Sequence, residues 1–444
     1  MRRQPAAASV RTRGLLLLLV PLLAHCGVAA QRRPAQPVPP PIALAAGLAP
    51  AAGIELVADP SLQRLLDPYP SEQGPSWLGG DVASSIRLAD DRWAWIFGDT
   101  LLGSVSTDCP AGQSYCARSA SGPGAGMIAN SAGVMVRSAD GVLSPLVKYW
   151  RADAAGAPAP IFAAPGDDTF LWPLAGVRVG AVLLVAANQH TRASGLLPVG
   201  NVLVRVWNPD APPDAWLYDV HPLRAFRHGQ QGGALLSWTS ALVLVGDRVY
   251  LFGSRDVGVE ARTVLARLDT RGVADRDWSP RLEFLLDGDA TSAPVWEGTL
   301  DPDRLHVVEG LPGTSEASID FAPGLGWYTF QIPALRHEIR LYTASDLLGP
   351  WSDRGVAYEI PAAWRATQGD CPADAAPAAW GEGDPGCAPV YAAYAPKAHP
   401  ELAPAGGAAV SYNVNTWSGG LDASVRALET LHGFYVPQLL SSAP

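Results

Sequence analysis

Two aspartates, Asp81 and Asp99, stand at the two ends of one predicted β-hairpin. The segment from Asp81 to Leu88 is followed by a polar turn and by the apolar run Trp93 to Phe97, two residues before Asp99. A tight turn places the two aspartates opposite each other, and the Cβ atoms of directly opposed residues lie roughly 4.5–5.5 Å apart on one face. Adjacent carboxylates repel each other, so one pKa rises and a proton becomes available near neutral pH.

Paired carboxylates of this kind can cleave glycosidic bonds. One carboxylic acid protonates the leaving oxygen, while the other carboxylate activates water or attacks as a nucleophile. The spacing does not distinguish inverting from retaining chemistry, because one residue more or less in the turn changes the geometry. A structural calcium site or a turn-capping pair is the alternative interpretation of Asp81 and Asp99.

Further candidate site residues occupy comparable places in other predicted hairpins. Glu316 opens a hairpin that ends at Gln331 and is a candidate third catalytic carboxylate, with a surface turn residue as the alternative. Hairpin spacing places Lys397, one of only two lysines, and His399 opposite Asn413. The candidate substrate-binding residues are Lys397, His399, Asn130, Asn188, Asn413 and Asn415 for sugar hydroxyls, and Trp77, Trp172 and Trp238 for stacking on sugar faces. Most of the fifteen tryptophans are expected in the core instead.

The hairpin that carries the two aspartates recurs along the chain. Trp95-Ile-Phe-Gly-Asp99 aligns with Tyr250-Leu-Phe-Gly-Ser254, and each follows an apolar strand and a turn. Weaker copies run from Phe170 to Asn188, from Glu316 to Gln331 and from Lys397 to Asn413. Because Ser254 takes the place of Asp99 in the second copy, the repeat itself does not require a carboxylate there.

Five such hairpins, followed by further strand-like segments, predict an all-β fold, a five-bladed β-propeller. Circular closure of a propeller leaves only short, protected sheet edges. The second strand of every hairpin ends at a polar residue, and these ends are expected at one mouth of the central channel: Asp99, Asn188, Ser254, Gln331 and Asn413.

The beginning of the chain has the pattern of an export signal. Four arginines precede the apolar run Gly14 to Ala24, which is about half of the ~20 residues that a spanning helix needs. Cleavage after Ala30 is one interpretation; the other is lipidation of Cys26, although His25 departs from the usual lipoprotein pattern. We expect a signal peptide over residues 1–30, a Pro/Ala-rich linker over 31–53 and one propeller domain over 54–440. The protein is then periplasmic, extracellular or a cell-surface lipoprotein.

The remaining four cysteines predict disulfides, in keeping with export. The simplest pairing is local, Cys109 with Cys116 and Cys371 with Cys387, although the sequence allows three pairings. Zinc-binding spacings are missing from the sequence, so we expect no bound metal in the site.

Composition and motifs exclude several other classes of protein. The 444 residues carry a net charge of −10, which argues against a nucleic-acid partner. With 48% apolar and 17% charged residues, the chain is a folded protein rather than a disordered one. P-loop, G-x-G-x-x-G and G-x-S-x-G patterns are missing, so we expect no cofactor and no serine-hydrolase elbow. We expect a monomer that contacts a membrane only through a lipid anchor at Cys26.

Several segments resemble a bacterial family of secreted propellers, formerly a domain of unknown function, that includes endo-D-arabinanases. Its opening blades are similar to Trp77-Leu-Gly-Gly-Asp81, Trp95-Ile-Phe-Gly-Asp-Thr-Leu-Leu-Gly103 and Asn130-Ser-Ala-Gly-Val134. Its closing blades are similar to Ser315-Glu-Ala-Ser318, Gly349-Pro-Trp-Ser352, Tyr394-Ala-Pro-Lys-Ala-His-Pro-Glu-Leu402 and Ser411-Tyr-Asn-Val-Asn415.

The resemblance implies a five-bladed propeller in which Asp81 and Asp99 are the acid/base pair. The function that we expect is an exported glycoside hydrolase that acts on a polysaccharide, with arabinofuranosyl linkages as one substrate class. The family also has members without an assigned substrate. A non-catalytic glycan-binding or scaffold propeller at the cell surface is therefore the alternative.

Overall fold

The structure is a computed structural model that describes most of the chain after the predicted signal and linker. It describes residues 54–71, 74–108, 116–166, 168–194, 197–227, 235–257, 260–288, 293–333, 337–364, 391–404, 406–416, 425, 428–429 and 433–442. Strands account for 53% of the structure and helices for 5%, so the expectation of an all-β protein is confirmed. The expected signal peptide, Cys26 and the linker lie outside the described residues.

The strands are numbered in chain order. The first fourteen are β1 (Leu56–Ala58), β2 (Ser76–Gly80), β3 (Ser84–Ala89), β4 (Arg92–Phe97), β5 (Thr100–Val105), β6 (Arg118–Ser119), β7 (Gly126–Ile128), β8 (Ser131–Val136), β9 (Val147–Tyr149), β10 (Arg151–Ala152), β11 (Pro158–Ala159), β12 (Thr169–Val179), β13 (Val182–Thr191) and β14 (Gly200–Val206). The others are β15 (Tyr218–Pro222), β16 (Leu235–Val245), β17 (Arg248–Val257), β18 (Glu260–Asp269), β19 (Leu282–Leu286), β20 (Val295–Glu297), β21 (Val307–Pro312), β22 (Asp320–Ala322), β23 (Gly326–Gln331), β24 (Glu338–Ala344), β25 (Ser352–Glu359), β26 (Tyr391–Ala398), β27 (Ala409–Thr416) and β28 (Gln438–Ser442).

Helical structure is short in the described part of the chain. Helix α1 (Pro60–Leu66) starts with a proline, which has no N–H to leave unpaired in the first turn. Two 3-10 turns follow at Pro213–Ala215 and Ala362–Trp364. Because these helical pieces are so short, the architecture is carried by the sheets.

Five antiparallel sheets follow one another along the chain. The first sheet has the order β3-β4-β8-β9, the second β12-β13-β14-β15, the third β16-β17-β18-β19-β20 with β21 beside β18, the fourth β22-β23-β24-β25, and the fifth β26-β27-β28-β1. The fifth sheet joins the two ends of the described chain, because Leu56 pairs with Ser442 and Ala58 pairs with Leu440. Strand β5 pairs with β2, β6 and β7 outside these sheets, and β10 pairs with β11.

The five predicted hairpins are all present. They are formed by β3 and β4, β12 and β13, β16 and β17, β22 and β23, and β26 and β27. Gly180 and Gly246 lie at two of the hairpin tips with φ of 59° and 58°, a left-handed conformation that favours glycine. The alternation of apolar strands and polar turns in the sequence therefore located the hairpins correctly.

A hydrophobic cluster lies between each sheet and the next. Ile96 of the first sheet and Val185 of the second belong to one such cluster. Separate clusters join the second to the third sheet, the third to the fourth and the fourth to the fifth. A fifth cluster contains Trp95 of the first sheet and Leu439 of the fifth, so the last sheet also packs against the first.

Helix α1 is tied to the C-terminal strand by its capping residue. Asp59 Oδ1 accepts hydrogen bonds from the backbone N–H of Ser61 (2.9 Å) and Leu62 (3.0 Å). Asp59 Oδ2 accepts a third hydrogen bond from Ser441 Oγ in β28 at 2.7 Å. One carboxylate thus caps the helix and holds it against the sheet that joins the two chain ends.

Loss of this carboxylate is expected to destabilise the protein. Asp59→Ala removes the helix cap and the bond to Ser441, which should cost about 1–2 kcal/mol and lower the Tm. Asp59→Asn keeps an acceptor oxygen for the cap and should lose clearly less. Thermal unfolding followed by circular dichroism measures both variants, and equal Tm values for Asp59→Ala and the wild type would contradict this role.

Candidate functional site

Backbone hydrogen bonds hold Asp81 and Asp99 next to each other at one end of the first sheet. The β3–β4 register pairs Ser84 with Ile96 and Ser85 with Trp95, and its continuation leads to Asp81 and Asp99. The Asp81 N–H donates to the Asp99 carbonyl at 3.3 Å. Strand β3 itself begins only at Ser84, so Asp81 lies in the bend before the strand and not within it.

The Asp81 carboxylate accepts a hydrogen bond from a tyrosine of the fifth sheet, and it fits in its place because Gly98 has no side chain. Tyr394 Oη donates to Asp81 Oδ2 at 3.0 Å. A Cβ at Gly98 would lie 2.3 Å from Asp81 Oδ1, so only glycine leaves room for the carboxylate there. Burial raises the pKa of Asp81 well above its usual value, and the nearby charges of Asp99 and Glu316 raise it further. The buried Oδ1 atom accepts no hydrogen bond, which also favours the protonated form.

Asp99 receives its hydrogen bond from the second sheet. Trp172 Nε1 donates to Asp99 Oδ1 at 2.6 Å. Burial raises the pKa of Asp99 to about 7, while the Trp172 hydrogen bond acts in the opposite direction because it stabilises the charged form. The two aspartates are therefore close together but differ in their partners.

Glu316 and Lys397 form the next part of the site. Glu316 lies just before β22, and its carboxylate is close enough to raise the pKa of Asp81. Lys397 Nζ donates to the Ala317 carbonyl at 2.8 Å and to the Leu174 carbonyl at 3.0 Å. Burial raises the pKa of Glu316, and the Lys397 ammonium lowers it. Lys397 is 1% exposed, and burial lowers its pKa to about 8.

Backbone strain is concentrated around these groups. Within the described part of the chain, four non-glycine residues have positive φ: Val82 (67°), Ala83 (48°), Ala395 (51°) and Tyr435 (60°). Val82 and Ala83 follow Asp81 directly, and Ala395 follows Tyr394. Such residues cost about 1–3 kcal/mol each and persist where the surrounding structure holds them in place. The position of the Asp81 carboxylate is therefore set by a strained bend.

Sequence reasoning missed two tyrosines at the site, Tyr394 and Tyr435. The pKa of Tyr435 is raised by burial and by the charges of Asp81 and Asp99, which places its side chain beside the pair. The Tyr435 carbonyl lies against Gly79, where a Cβ would be 2.4 Å from the carbonyl oxygen. Tyr394 belongs to a segment that the resemblance had singled out, whereas no local pattern marks Tyr435.

A cavity of about 110 Å³ is lined by Lys397 and Ala317 but not by Glu316. The first strand of each of the five hairpins contributes to its lining, which includes Ser85, Asp320 and Glu401. Burial and the charge of Glu401 raise the pKa of Asp320 to about 7. Another cavity, of about 360 Å³, lies elsewhere, between the second and third sheets. Neither cavity is lined by Asp81 or Asp99, so the chemistry of the carboxylates, not cavity size, identifies the candidate site.

Two of the three tryptophans proposed for stacking are core residues. Trp77 is 2% exposed and Trp238 is 0% exposed, and both lie in hydrophobic clusters. Their rings have no free face for a sugar, so the expectation of substrate contacts at these two positions is wrong. Trp172 is partly exposed beside Asp99 and keeps this role as a proposal.

Asn130 and Asn188 join neighbouring sheets instead of facing a ligand. Asn130 is fully buried; its Nδ2 donates to the Leu171 carbonyl at 2.9 Å, and its Oδ1 accepts from the Phe162 N–H at 2.8 Å. Asn188 Oδ1 accepts from Thr239 Oγ1 of the third sheet at 2.7 Å. Both polar atoms of the Asn130 side chain and the Oδ1 atom of Asn188 are therefore engaged inside the fold.

The register of the last hairpin differs from the predicted pairing of its residues. Lys397 opposes Ser411, and Tyr394 opposes Asn413, with a bulge between Tyr394 and Lys397. The expectation that Lys397 faces Asn413 is therefore wrong. Asn413 is fully buried, and its Nδ2 donates to the carbonyl of Gly80, next to Asp81, at 3.2 Å.

His399 and Asn415 end in different environments. Both ring nitrogens of His399 are within hydrogen-bond distance of hydroxyls, Nδ1 of Ser85 Oγ at 2.9 Å and Nε2 of Ser411 Oγ at 2.7 Å. Its ring stacks on Trp95 at 4.4 Å and is fully buried, which makes it a structural residue. Asn415 is partly exposed two residues beyond Asn413, and its substrate-binding role stays a prediction.

The predicted disulfides fall mostly outside the described residues. Cys109, Cys371 and Cys387 are not described, and Cys116 packs against the cluster between the fourth and fifth sheets. Both pairings therefore stay predictions. In the described ranges, no three or more His, Cys, Asp and Glu side chains are arranged to hold a metal ion. None of the described helices is both long and apolar enough to span a bilayer.

A solved structure shares this architecture. It is a protein of Bacteroides ovatus described as a candidate hydrolase, with 15% identity and a TM-score of 0.58, and the match covers 89% of this chain and 93% of that one. The likeness defines the chain as an all-β protein with the fold of that hydrolase. The sequence also matches, over residues 66–426, the family described as a domain of unknown function, DUF5005. This chain belongs to the DUF5005 family.

Other solved structures are less similar. A family 117 glycoside hydrolase of the marine bacterium Zobellia galactanivorans is 9% identical with a TM-score of 0.41, over 88% of this chain and 90% of that one. The catalytic domain of a GH62 α-L-arabinofuranosidase of Coprinopsis cinerea is 12% identical with a TM-score of 0.39, over 88% and 98%. At these TM-scores the likeness carries no inference about this chain. No curated protein matches the sequence.

The raised pKa of Asp99 predicts a pH-dependent cost in stability. Its pKa is about 7 in the folded protein and near 3.8 in the unfolded chain, so ionisation destabilises the fold as the pH rises from about 4 to about 7. Asp99→Asn cannot ionise, and its oxygen can still accept from Trp172. The variant should gain Tm relative to the wild type, and more at pH 8 than at pH 5.

Thermal unfolding at the two pH values measures this difference. Asp303→Asn, which changes an exposed aspartate, should leave the difference between pH 5 and pH 8 as in the wild type. The same Tm gain at both pH values would show that Asp99 is not destabilised by its charge.

Proposed function

We propose that this chain is an exported glycoside hydrolase that cleaves a glycosidic bond with Asp81 and Asp99. The observation that carries the proposal is the convergence of two desolvated aspartates, hydrogen-bonded through their backbones, with Glu316 beside them. Catalytic acids need pKa values near the working pH, and burial combined with like charges shifts carboxylates in that direction. The export signal expected at the N-terminus agrees with a substrate outside the cytoplasm.

We infer that the scaffold is a five-bladed β-propeller. Five sheets follow one another along the chain, and five hydrophobic clusters join each sheet to the next and the last to the first. In that architecture the pairing of β1 with β28 unites the chain ends within the last blade. The cavity beside Lys397, which the first strand of each hairpin lines, is then part of the central channel.

The two aspartates are assigned different roles because their environments separate their pKa values. Asp81 faces the charges of Asp99 and Glu316 and has a buried oxygen without a partner, so it keeps its proton to higher pH. Asp99 accepts a hydrogen bond from Trp172 and ionises near pH 7. Asp81 is therefore the general acid that protonates the leaving oxygen. Asp99 is the carboxylate that activates water or attacks the sugar carbon.

Glu316 is assigned to hold the proton on Asp81. Lys397 stabilises the charged form of Glu316, and the Glu316 charge in turn raises the pKa of Asp81. In this assignment the Lys397 ammonium acts on Glu316, and the Glu316 charge acts on Asp81. The substrate class to test first is arabinofuranosyl polysaccharide, as the resemblance of the sequence implies.

Removal of either aspartate should abolish most of the activity. Asp81→Asn and Asp99→Asn should each lower reducing-end release by about 10²–10⁴-fold, the range for general acid–base catalysis. The assay uses arabinans, arabinogalactans and fructans, with wild type and both variants side by side. Asp67→Asn is the matched control, because Asp67 is a buried aspartate with a pKa of about 6 outside this site.

The outcomes distinguish an error in the assigned site from an error in the proposed activity. Activity retained in both aspartate variants would contradict the assignment of the site. Binding of a glycan without release by the wild type would contradict hydrolysis and favour a glycan-binding propeller at the cell surface.

The pH dependence of kcat/KM tests the roles of the three carboxylates. Activity should rise as Asp99 ionises near pH 7 and fall as Asp81 loses its proton at higher pH. Glu316→Gln removes a charge that raises the pKa of Asp81, so the alkaline limb should move to lower pH. The acidic limb should stay, since Asp99 owes its raised pKa to burial.

A matched control for this profile is Glu283→Gln. Glu283 pairs with Arg267 in the third sheet at 2.7 Å and contributes to the pKa of neither aspartate, so its loss should leave both limbs in place. A shift of the acidic limb in Glu316→Gln, with the alkaline limb unchanged, would reverse the assignment of acid and base.

A further inference from the structure

Three aromatic side chains stand together on the β12–β13 hairpin, at the end where Trp172 reaches Asp99. Phe170 directly opposes His190 in the register, and their rings stack with centroids 5.4 Å apart. Trp172 lies two residues along the same strand, with its ring centroid 4.0 Å from that of His190 and 5.5 Å from that of Phe170. We call Phe170, Trp172 and His190 the aromatic wall.

The exposure of the aromatic wall differs from that of the core aromatic residues. His190 is 1% exposed, and its ring packs against both of the other rings. Phe170 and Trp172 remain partly exposed, whereas the core residue Trp238 is fully buried. The buried imidazole therefore supports two rings that still present surface to a ligand. Partly exposed aromatic rings beside a few polar groups are typical of small-molecule sites.

The position of the wall relative to Asp99 is held by a hydrogen bond. Trp172 Nε1 donates to Asp99 Oδ1 at 2.6 Å, so one edge of the indole ring is anchored at the carboxylate. A sugar ring that lies on the face of Trp172 is then next to the carboxylate pair. Aromatic faces carry a partial negative charge and attract the positive edges of C–H groups, which a sugar ring presents.

The charges around the wall select the kind of sugar. Asp81, Asp99 and Glu316 lie on this side of the protein, and the chain has a net charge of −10. Lys397 gives two N–H groups to backbone carbonyls and is 1% exposed, so it is not available to neutralise an anionic ligand. Like charges brought together in a binding site are strongly unfavourable. A uronic acid or a sulfated sugar would meet this repulsion.

We propose that the aromatic wall is a sugar-binding subsite beside Asp99 that accepts a neutral sugar ring and rejects acidic sugars. The inference rests on the proposed function and narrows its substrates to neutral glycans. Phe170 and Trp172 supply the surface on which the ring stacks, and His190 keeps the two rings in place.

Binding measurements on the full secreted chain test the subsite apart from catalysis. Affinity electrophoresis in gels with arabinan, arabinogalactan or fructan is compared with gels that contain polygalacturonan or alginate. Wild type should be retarded by a neutral glycan and not by the acidic ones. Phe170→Leu should weaken that binding by about tenfold, since stacking on one aromatic ring is of this size.

Matched variants keep the test interpretable. Phe170→Tyr retains a ring and should bind within about threefold of wild type. Trp172→Phe retains a ring face but loses the N–H, so binding should persist while the acidic limb of the pH profile moves to higher pH. Phe321→Leu is the control, because Phe321 lies near the tip of the β22–β23 hairpin. Its ring pairs edge-to-face with that of Trp327, with the centroids 5.2 Å apart.

Each outcome supports or overturns the subsite. Folded Phe170→Leu that binds as tightly as wild type, or stronger binding of acidic than of neutral glycans, would overturn it. Failure of the wild type to bind any neutral glycan would overturn it as well. Binding that depends on Phe170 but is followed by no release leaves the subsite standing and contradicts only the proposed hydrolysis.

Discussion

Carboxylates removed from water beside one another are costly, and this cost constrains the arrangement of the described structure. Asp81 and Asp99 belong to the first sheet, but their side chains receive hydrogen bonds from Tyr394 of the fifth sheet and Trp172 of the second. Glu316, which raises the pKa of Asp81, precedes the fourth sheet. No single hairpin could hold these charges, because unpartnered buried charges shift their pKa or leave the interior. The site therefore depends on the packing of several sheets at once.

The strained backbone beside Asp81 has a cost that the packing of the sheets must offset. Val82 and Tyr435 adopt positive φ beside the Asp81 carboxylate, at a cost of about 1–3 kcal/mol each. Polar clamps between sheets oppose this cost. Asn130 links the first sheet to the second through the Leu171 carbonyl, and Asn413 links the fifth to the first through the Gly80 carbonyl. The Asn413 amide thus also holds the bend on which the site depends, because it bonds to the residue before Asp81.

The sequence predicted local features well and long-range features poorly. Apolar strands and glycine turns located all five hairpins, and the register of one hairpin placed Asp81 beside Asp99. The register of the last hairpin and its bulge before Lys397 were not visible in the pattern, so the predicted partner of Asn413 was wrong. Tyr435 reaches the site from near the C-terminus, and such a contact leaves no local periodicity. Buried asparagines that clamp sheets cannot be told from ligand-binding ones by residue type alone.

The series Lys397, Glu316 and Asp81 connects the channel to the reacting bond through charge. Lys397 donates two of its three N–H groups to the carbonyls of Leu174 in the second sheet and of Ala317 before the fourth, an arrangement that suits a compact ammonium better than a planar guanidinium. The same ammonium also faces Asp320, whose pKa is about 7. When Asp320 ionises, its charge raises the pKa of Lys397, so the ammonium stays charged to higher pH and continues to stabilise the Glu316 anion. Protonation in the channel and protonation of Asp81 are then linked by mutual electrostatics, although no hydrogen bond joins the two carboxyls.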